Sequence, residues 1–196
     1  MNSSKTRMIF EAAIDIFCER GFEKATMDDI ATKANVAKGT IYYHFKSKEE
    51  LFVFLVEEGT NLLREHVLER LSDQMTPTDK IRAIIHEQLT FFKDYRDLCI
   101  IILREAWGEE QRQLQFRRML VHYVRAIEEI VISGIQTGEF AEIDSQTAAW
   151  SIFGGLSITA LNHLYADPSF NLPMLAPSFE QMLFHGLTGR HEPIDE

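Results

Sequence analysis

Two cysteines in 196 residues, Cys18 and Cys99, exclude a disulfide framework and point to a reducing compartment, the cytoplasm, with both thiols as small apolar fillers. Proline is scarce and stands only at positions 77, 168, 173, 177 and 193, which leaves long stretches free to be helical. No stretch is apolar enough to span a membrane. The best candidate, "TAAWSIFGGLSITALNHLY" at 147–165, is uncharged but diluted by Ser, Thr, Asn and His, and reads as a buried helix. The opening "MNSSKTRMIF" has neither an apolar core nor a cleavage signal, so no secretory peptide and no membrane partner are expected. Catalytic signatures are missing too. There is no G-x-S-x-G, no P-loop, no dinucleotide fingerprint and no CxxC, and "HEQLT" at His86 lacks the second histidine of a zinc-protease helix. An enzyme is therefore not expected, nor a cofactor or a metal.

Positive charge is in short supply as well, at a net −10, but the deficit is uneven. Residues 1–50 carry eight Lys/Arg and eight Asp/Glu, whereas residues 51–196 carry twelve against twenty-two. Between Ile30 and Lys48 stand four lysines, one histidine and no acid, with Tyr42 and Tyr43 in their midst. A uniformly acidic chain would repel a polyanion. This one gathers its cations where a local phosphate-binding patch would need them. The asymmetry divides the chain into a head, 1–50, and a larger half, 51–196.

The periodicity is helical throughout, with no alternating run that suggests a strand. A first helix over about 4–20 places Ile9, Ala12, Ala13, Ile16 and Phe17 on one face and ends at Gly21, with Phe22 folding back. Thr26 and Asp29 have the spacing of a capping box that opens a short second helix. Asn35 suits a left-handed turn, and a third helix begins near Lys38 with Ile41 and Phe45 inward. Ser47 and Glu50 form a second capping box at the start of a long helix, about 48–73. Further helices are expected over about 77–95, 97–107, 109–137, 144–165 and 178–187.

Three helices with a short turn between the second and third have the helix-turn-helix plan, in which the third lies in the DNA major groove. With Val36, Ile41 and Phe45 inward, Lys38, Thr40, Tyr42, Tyr43 and His44 are left outward, offering the donors and flat rings that phosphates and base edges call for. Tyr42 and Tyr43 would equally serve as a cover for the three-helix core.

Through "GFEKATMDDIATKANVAKGTIYYHFKSKEELF" the chain resembles the tetracycline-repressor-like (TetR) family of bacterial transcription regulators. The matched pattern is G-F/Y, T-x-x-x-I-A, A-x-V-x-x-G-T-[IL]-Y-x-[HY]-F and K-x-[EK]-L. One departure is Asn35, where the family usually has Gly before the Val. The resemblance implies an all-α chain of about nine helices, with a helix-turn-helix head and a ligand-binding, dimerising C-terminal domain. It implies double-stranded operator DNA as partner, met by Thr26, Lys38, Gly39, Thr40, Tyr42, Tyr43, His44 and Lys48, the last gripping a phosphate. It also implies a homodimer that is released from a palindromic operator by a small molecule.

The effector half is less informative. Phe91, Phe92, Tyr95, Trp107, Phe116, Tyr123, Trp150 and Phe153 would line an apolar pocket for a lipophilic effector, or else are ordinary core. Arg104 would meet an anionic head group, or equally serve in a surface salt bridge. The small residues Gly154, Gly155, Ser157 and Ala160, with Met182, Leu183 and Leu187, are expected at a four-helix dimer interface, the alternative being that the small residues pack inside one subunit. Two other readings stay open at this level: a DNA-binding regulator with no effector, and a helical lipid-binding or catalytic protein carrying an idle head.

Overall fold

The computed structural model describes residues 4–105 and 110–186. Trp107 and Leu187, expected in the pocket and the interface, lie outside the described residues. Within them the chain forms nine α-helices and no strand: α1 Ser4–Lys24, α2 Met27–Lys33, α3 Lys38–His44, α4 Lys48–Leu68, α5 Pro77–Asp94, α6 Arg96–Glu105, α7 Glu110–Gln136, α8 Ser145–Ala166 and α9 Ala176–His185. A 3-10 turn, Leu172–Leu175, precedes α9. The chain forms two compact units, neither continuous in sequence: Met1–Leu62 with Tyr95–His122, and Leu63–Asp94 with Tyr123–Glu196.

In the first unit α1 packs on α2 and α6, and α2 on α3. Ile9, Ala13 and Phe17 of α1 share one buried core with Ile30, Ile41, Leu51, Leu55 and Ile101. Each fully buried aliphatic or Phe side chain contributes about 1.5–3 kcal/mol of transfer free energy, which is what holds two seven-residue helices too short to persist alone. Gly21 interrupts α1 with φ 74° and ψ 161°, and one further turn runs to Lys24. Phe22 then lies against Phe17, ring centroids 5.4 Å apart. The Cys18 Sγ donates to the Asp97 carbonyl at 3.7 Å, and burial pushes this thiol up to about 11, so it stays protonated. Cys99 is buried and its thiol is pushed up by burial alone.

In the second unit α5 packs on α8, α9 and the 3-10 turn. Its buried side chains include Ile84, Ile85 and Leu89 of α5, Val124 and Ile127 of α7, and Ile152, Leu156 and Leu164 of α8. One polar group is embedded among them. The Tyr123 hydroxyl donates to Gln88 Oε1 at 2.9 Å, and Gln88 Nε2 donates to the Phe153 carbonyl at 3.4 Å. Gln88 is fully buried and Tyr123 nearly so. One turn beyond Phe153, the Ser157 hydroxyl is buried without a hydrogen-bond partner.

Several bounds differ from the sequence expectation. The helix expected to reach residue 73 ends at Leu68, because the Arg70 and Leu71 N–H groups bond to Val67 and Leu68 and tighten the last turn. The helix expected from 178 begins at Ala176, with Pro177 in its first turn.

Candidate nucleic-acid interface

The short α2 is fixed at both ends by side chains and turn chemistry. The Thr26 hydroxyl accepts the Asp29 N–H at 3.1 Å and donates to Asp29 Oδ2 at 2.7 Å, while the Thr26 N–H reaches the same oxygen at 3.3 Å. The capping box expected from the sequence is therefore closed. These hydrogen bonds from Thr26, with Arg20 2.8 Å from the other oxygen, hold the Asp29 carboxyl below the usual carboxylate range. At the other end the Val36 N–H bonds to the Ala31 carbonyl at 3.0 Å and the Asn35 N–H to Thr32 at 3.1 Å. That pattern is a Schellman motif, and Asn35 takes its left-handed position with φ 52°. An Asn tolerates that conformation where most residues do not, which is how the turn dispenses with glycine.

The turn delivers α3 with Ile41 fully buried and Phe45 nearly so. The opposite face is open: Tyr43 is 85% exposed and Tyr42 43%. Lys38 and Gly39 are exposed, and Thr40 and His44 are half-buried on the rim. A Cβ built on Gly39 would meet nothing within 4 Å. The Tyr43 and His44 rings meet edge-on at 5.3 Å. At the start of α4 the Ser47 hydroxyl accepts the Glu50 N–H at 3.1 Å, and the Glu50 carboxylate accepts from Lys46 N–H at 2.7 Å, one residue earlier than a capping box requires.

Three of the expected contact residues are engaged within the chain, Thr26 with Asp29 and two lysines besides. Lys48, expected to grip a phosphate, donates from Nζ to the carbonyls of Phe22 at 2.6 Å and Glu23 at 3.0 Å, and stands 4.5 Å from the centre of the Phe22 ring. It caps the end of α1, where carbonyls lack helical partners and the dipole is negative. Lys38 Nζ lies 2.6 Å from Asp28 Oδ2. The remaining face of Gly39, Thr40, Tyr42, Tyr43 and His44 is directed as expected.

The other candidate residues are dispersed. Tyr95, Arg104 and Phe116 belong to the first unit. Tyr95 is exposed, Arg104 donates to the Phe17 carbonyl at 3.4 Å, and Phe116 packs against the head's core. Phe91, Phe92, Tyr123, Trp150 and Phe153 belong to the second unit. There Phe153 brings Tyr123 and Trp150 together, with ring centroids 6.0 and 6.4 Å away, and Phe91 meets Phe92 at 6.3 Å. A cavity of about 290 Å³ in this unit is lined by Ile81, Val131, Phe140, Ile143, Ile152 and Phe184 among others, and by Leu183 but none of the expected pocket residues. Of the residues expected at an interface, Ser157 and Ala160 are turned into the second unit's interior. Gly155 is closed over by the Phe179 ring. Gly154 and Leu183 are half-buried, and Met182 is exposed. The exposed large apolar side chains of α8 are Ile158 and Tyr165, which share a helical face with Gly154 and point away from Ser157 and Ala160. Among the described residues no cluster of His, Cys, Asp or Glu could hold a metal, and no helix is long and apolar enough to cross a membrane.

Residues 9–54 match a family profile for bacterial regulatory proteins of the tetR family, and residues 74–161 one for a tetracyclin repressor-like C-terminal domain. A fatty acid metabolism regulator protein of Bacillus subtilis is 28% identical over 188 residues, 93% of this chain and 95% of that protein. The crystal structure of the regulator FadR from Bacillus subtilis in complex with stearoyl-CoA is 27% identical with a TM-score of 0.87, over 93% of this chain and 99% of that one. A Clostridium perfringens structure described as a fatty acid metabolism regulator is 34% identical with a TM-score of 0.83, over 93% of this chain and all of that one.

Proposed function

This chain belongs to the TetR family of bacterial regulatory proteins, and on that premise we propose that it is a homodimeric repressor released from operator DNA by a long-chain acyl-CoA. The observation that carries the DNA half is the open face of α3, with Ile41 anchored inside and Tyr42 and Tyr43 held outside. Gly39, Thr40, Tyr42, Tyr43 and His44 meet the groove and its phosphates. Thr26 and Lys48 act chiefly by fixing the ends of α2 and α1. Two heads of a dimer read two half-sites about 34–36 Å apart.

The effector class is supported by likeness over nearly the whole length to a regulator crystallised with stearoyl-CoA. We assign residues 51–196 to effector binding and dimerisation, a half rich in the aliphatic and aromatic side chains that an acyl chain calls for. To release the operator, the thioester must bind the released state more tightly than the DNA-bound one, since equal affinity shifts nothing. The protein does this by binding alone, without turnover, in the cytoplasm where its DNA lies.

The test uses fluorescent duplexes tiled across the DNA flanking the chain's own gene. One tile should be bound with a palindromic footprint, and stearoyl-CoA should release it where free coenzyme A does not. Failure to bind any tile sinks the repressor reading, while binding that ignores stearoyl-CoA sinks the effector class.

A further inference from the structure

The recognition helix begins with a lysine that is already occupied. Lys38 Nζ lies 2.6 Å from Asp28 Oδ2, with both side chains more than half exposed, at 66% and 55%. Asp28 stands in the first turn of α2, ten residues earlier, and its backbone carbonyl also accepts from Thr32 Oγ1 at 2.8 Å. Arg20 and Lys33 of the head are paired with carboxylates as well. Arg20 holds Asp29 at 2.8 Å, and Lys33 lies between Asp15 at 3.1 Å and Glu19 at 3.6 Å. These pairs lie back towards α1, away from the open face of α3. The Asp28–Lys38 pair differs in joining α2 to the N-terminus of the DNA-reading helix, where a phosphate would approach.

We propose that Asp28 is an affinity-setting residue: its carboxylate holds Lys38 in the free protein and must be displaced before that ammonium can neutralise a phosphate. Binding to duplex DNA of arbitrary sequence is almost wholly counterion release, with a slope of about 0.9 in log K against log salt for each phosphate neutralised. A lysine paired with its own carboxylate carries no net charge to that exchange. The damping keeps an already acidic dimer from adding one more nonspecific contact per head. The inference rests on the DNA-binding reading and is separable from it.

The experiment measures anisotropy of a labelled duplex of arbitrary sequence across a salt series, with wild type, Asp28→Asn, Asp28→Glu, Lys38→Met and the double variant Asp28→Asn/Lys38→Met. Asp28→Asn should bind roughly two- to five-fold more tightly at low salt, the scale of an exposed ion pair. Its salt slope should steepen by about 0.9 per head engaged. Asp28→Glu should restore wild-type behaviour, and in the Lys38→Met background Asp28→Asn should change nothing. Circular dichroism melts of each variant confirm that the head stays folded. An unchanged slope in Asp28→Asn, or a gain that persists without Lys38, overturns the proposal. Wild-type protein that binds no duplex even at low salt overturns the DNA-binding reading instead.

Discussion

Lys48→Met removes an ammonium and keeps most of its apolar stem, so it isolates what the charge does for the head. In the folded protein Nζ donates to Phe22 O at 2.6 Å and Glu23 O at 3.0 Å, 4.5 Å from the Phe22 ring centre. A hydrogen bond from a charged donor is worth about 1.5–3 kcal/mol. The Glu23 carbonyl is exposed, so water replaces most of that bond, whereas the Phe22 carbonyl is part-buried and loses more. The ring contact adds about 0.5–1 kcal/mol. A loss of roughly 2 kcal/mol follows, which for a chain of this length is a fall in Tm of about 4–8 °C. Differential scanning calorimetry of wild type, Lys48→Met and Lys48→Arg reads it directly, with the arginine variant in between. If Lys48→Met melts within about a degree of wild type, the capping role is refuted and Lys48 is free for a phosphate as the sequence suggested.

Three other outcomes follow from the packing and the caps. Gly134→Ala should cost about 1–3 kcal/mol in urea unfolding, because its Cβ would collide with the Phe140 ring and push it out of the turn between α7 and α8. Ser157→Ala should stabilise by about 1 kcal/mol by deleting an unpartnered buried hydroxyl, whereas Tyr123→Phe should cost about 1–3 kcal/mol by orphaning Gln88 Oε1, both read as shifts in urea midpoint. The hydrogen bonds from Thr26 depress the Asp29 carboxyl, so its contribution is full above the unfolded value of about 3.9 and is lost as pH falls through the lower folded value. Wild type should therefore lose more stability than Asp29→Asn between neutral pH and about pH 3, by urea melts at each.

Local chemistry made much of the head legible. Thr26 with Asp29, Asn35 and the Ile41–Phe45 face act over three or four residues, and each stands where its spacing put it. Lys48 and Lys38 were harder to read, because their partners lie 26 and 10 residues away and exist only once the helices pack. A basic residue next to a motif looks the same in sequence whether it faces a phosphate or a carbonyl. The larger half hid more. Small residues at 154–160 signal close approach but not which neighbour approaches. Ser157 and Ala160 turned inward while Ile158 took the outer face. Gln88 gave no sequence signal of burial, since its place depends on the Tyr123 hydroxyl across the unit.

If the outer face of α3 reads DNA, Gly39→Ala should separate operator binding from folding. A methyl there meets nothing within 4 Å in the free protein, so helix propensity alone should leave the fold unchanged or stabilise it by up to about 1 kcal/mol. Against the bound tile from the chain's own flanking DNA, the same methyl should stand where backbone and duplex meet. The variant should keep an equal or higher Tm while its operator affinity falls by roughly ten-fold or more, the scale of about 1.4 kcal/mol. An equal or higher Tm with undiminished operator affinity would contradict the DNA-reading role of α3, because the face left open by the fold would then not be the face that meets DNA.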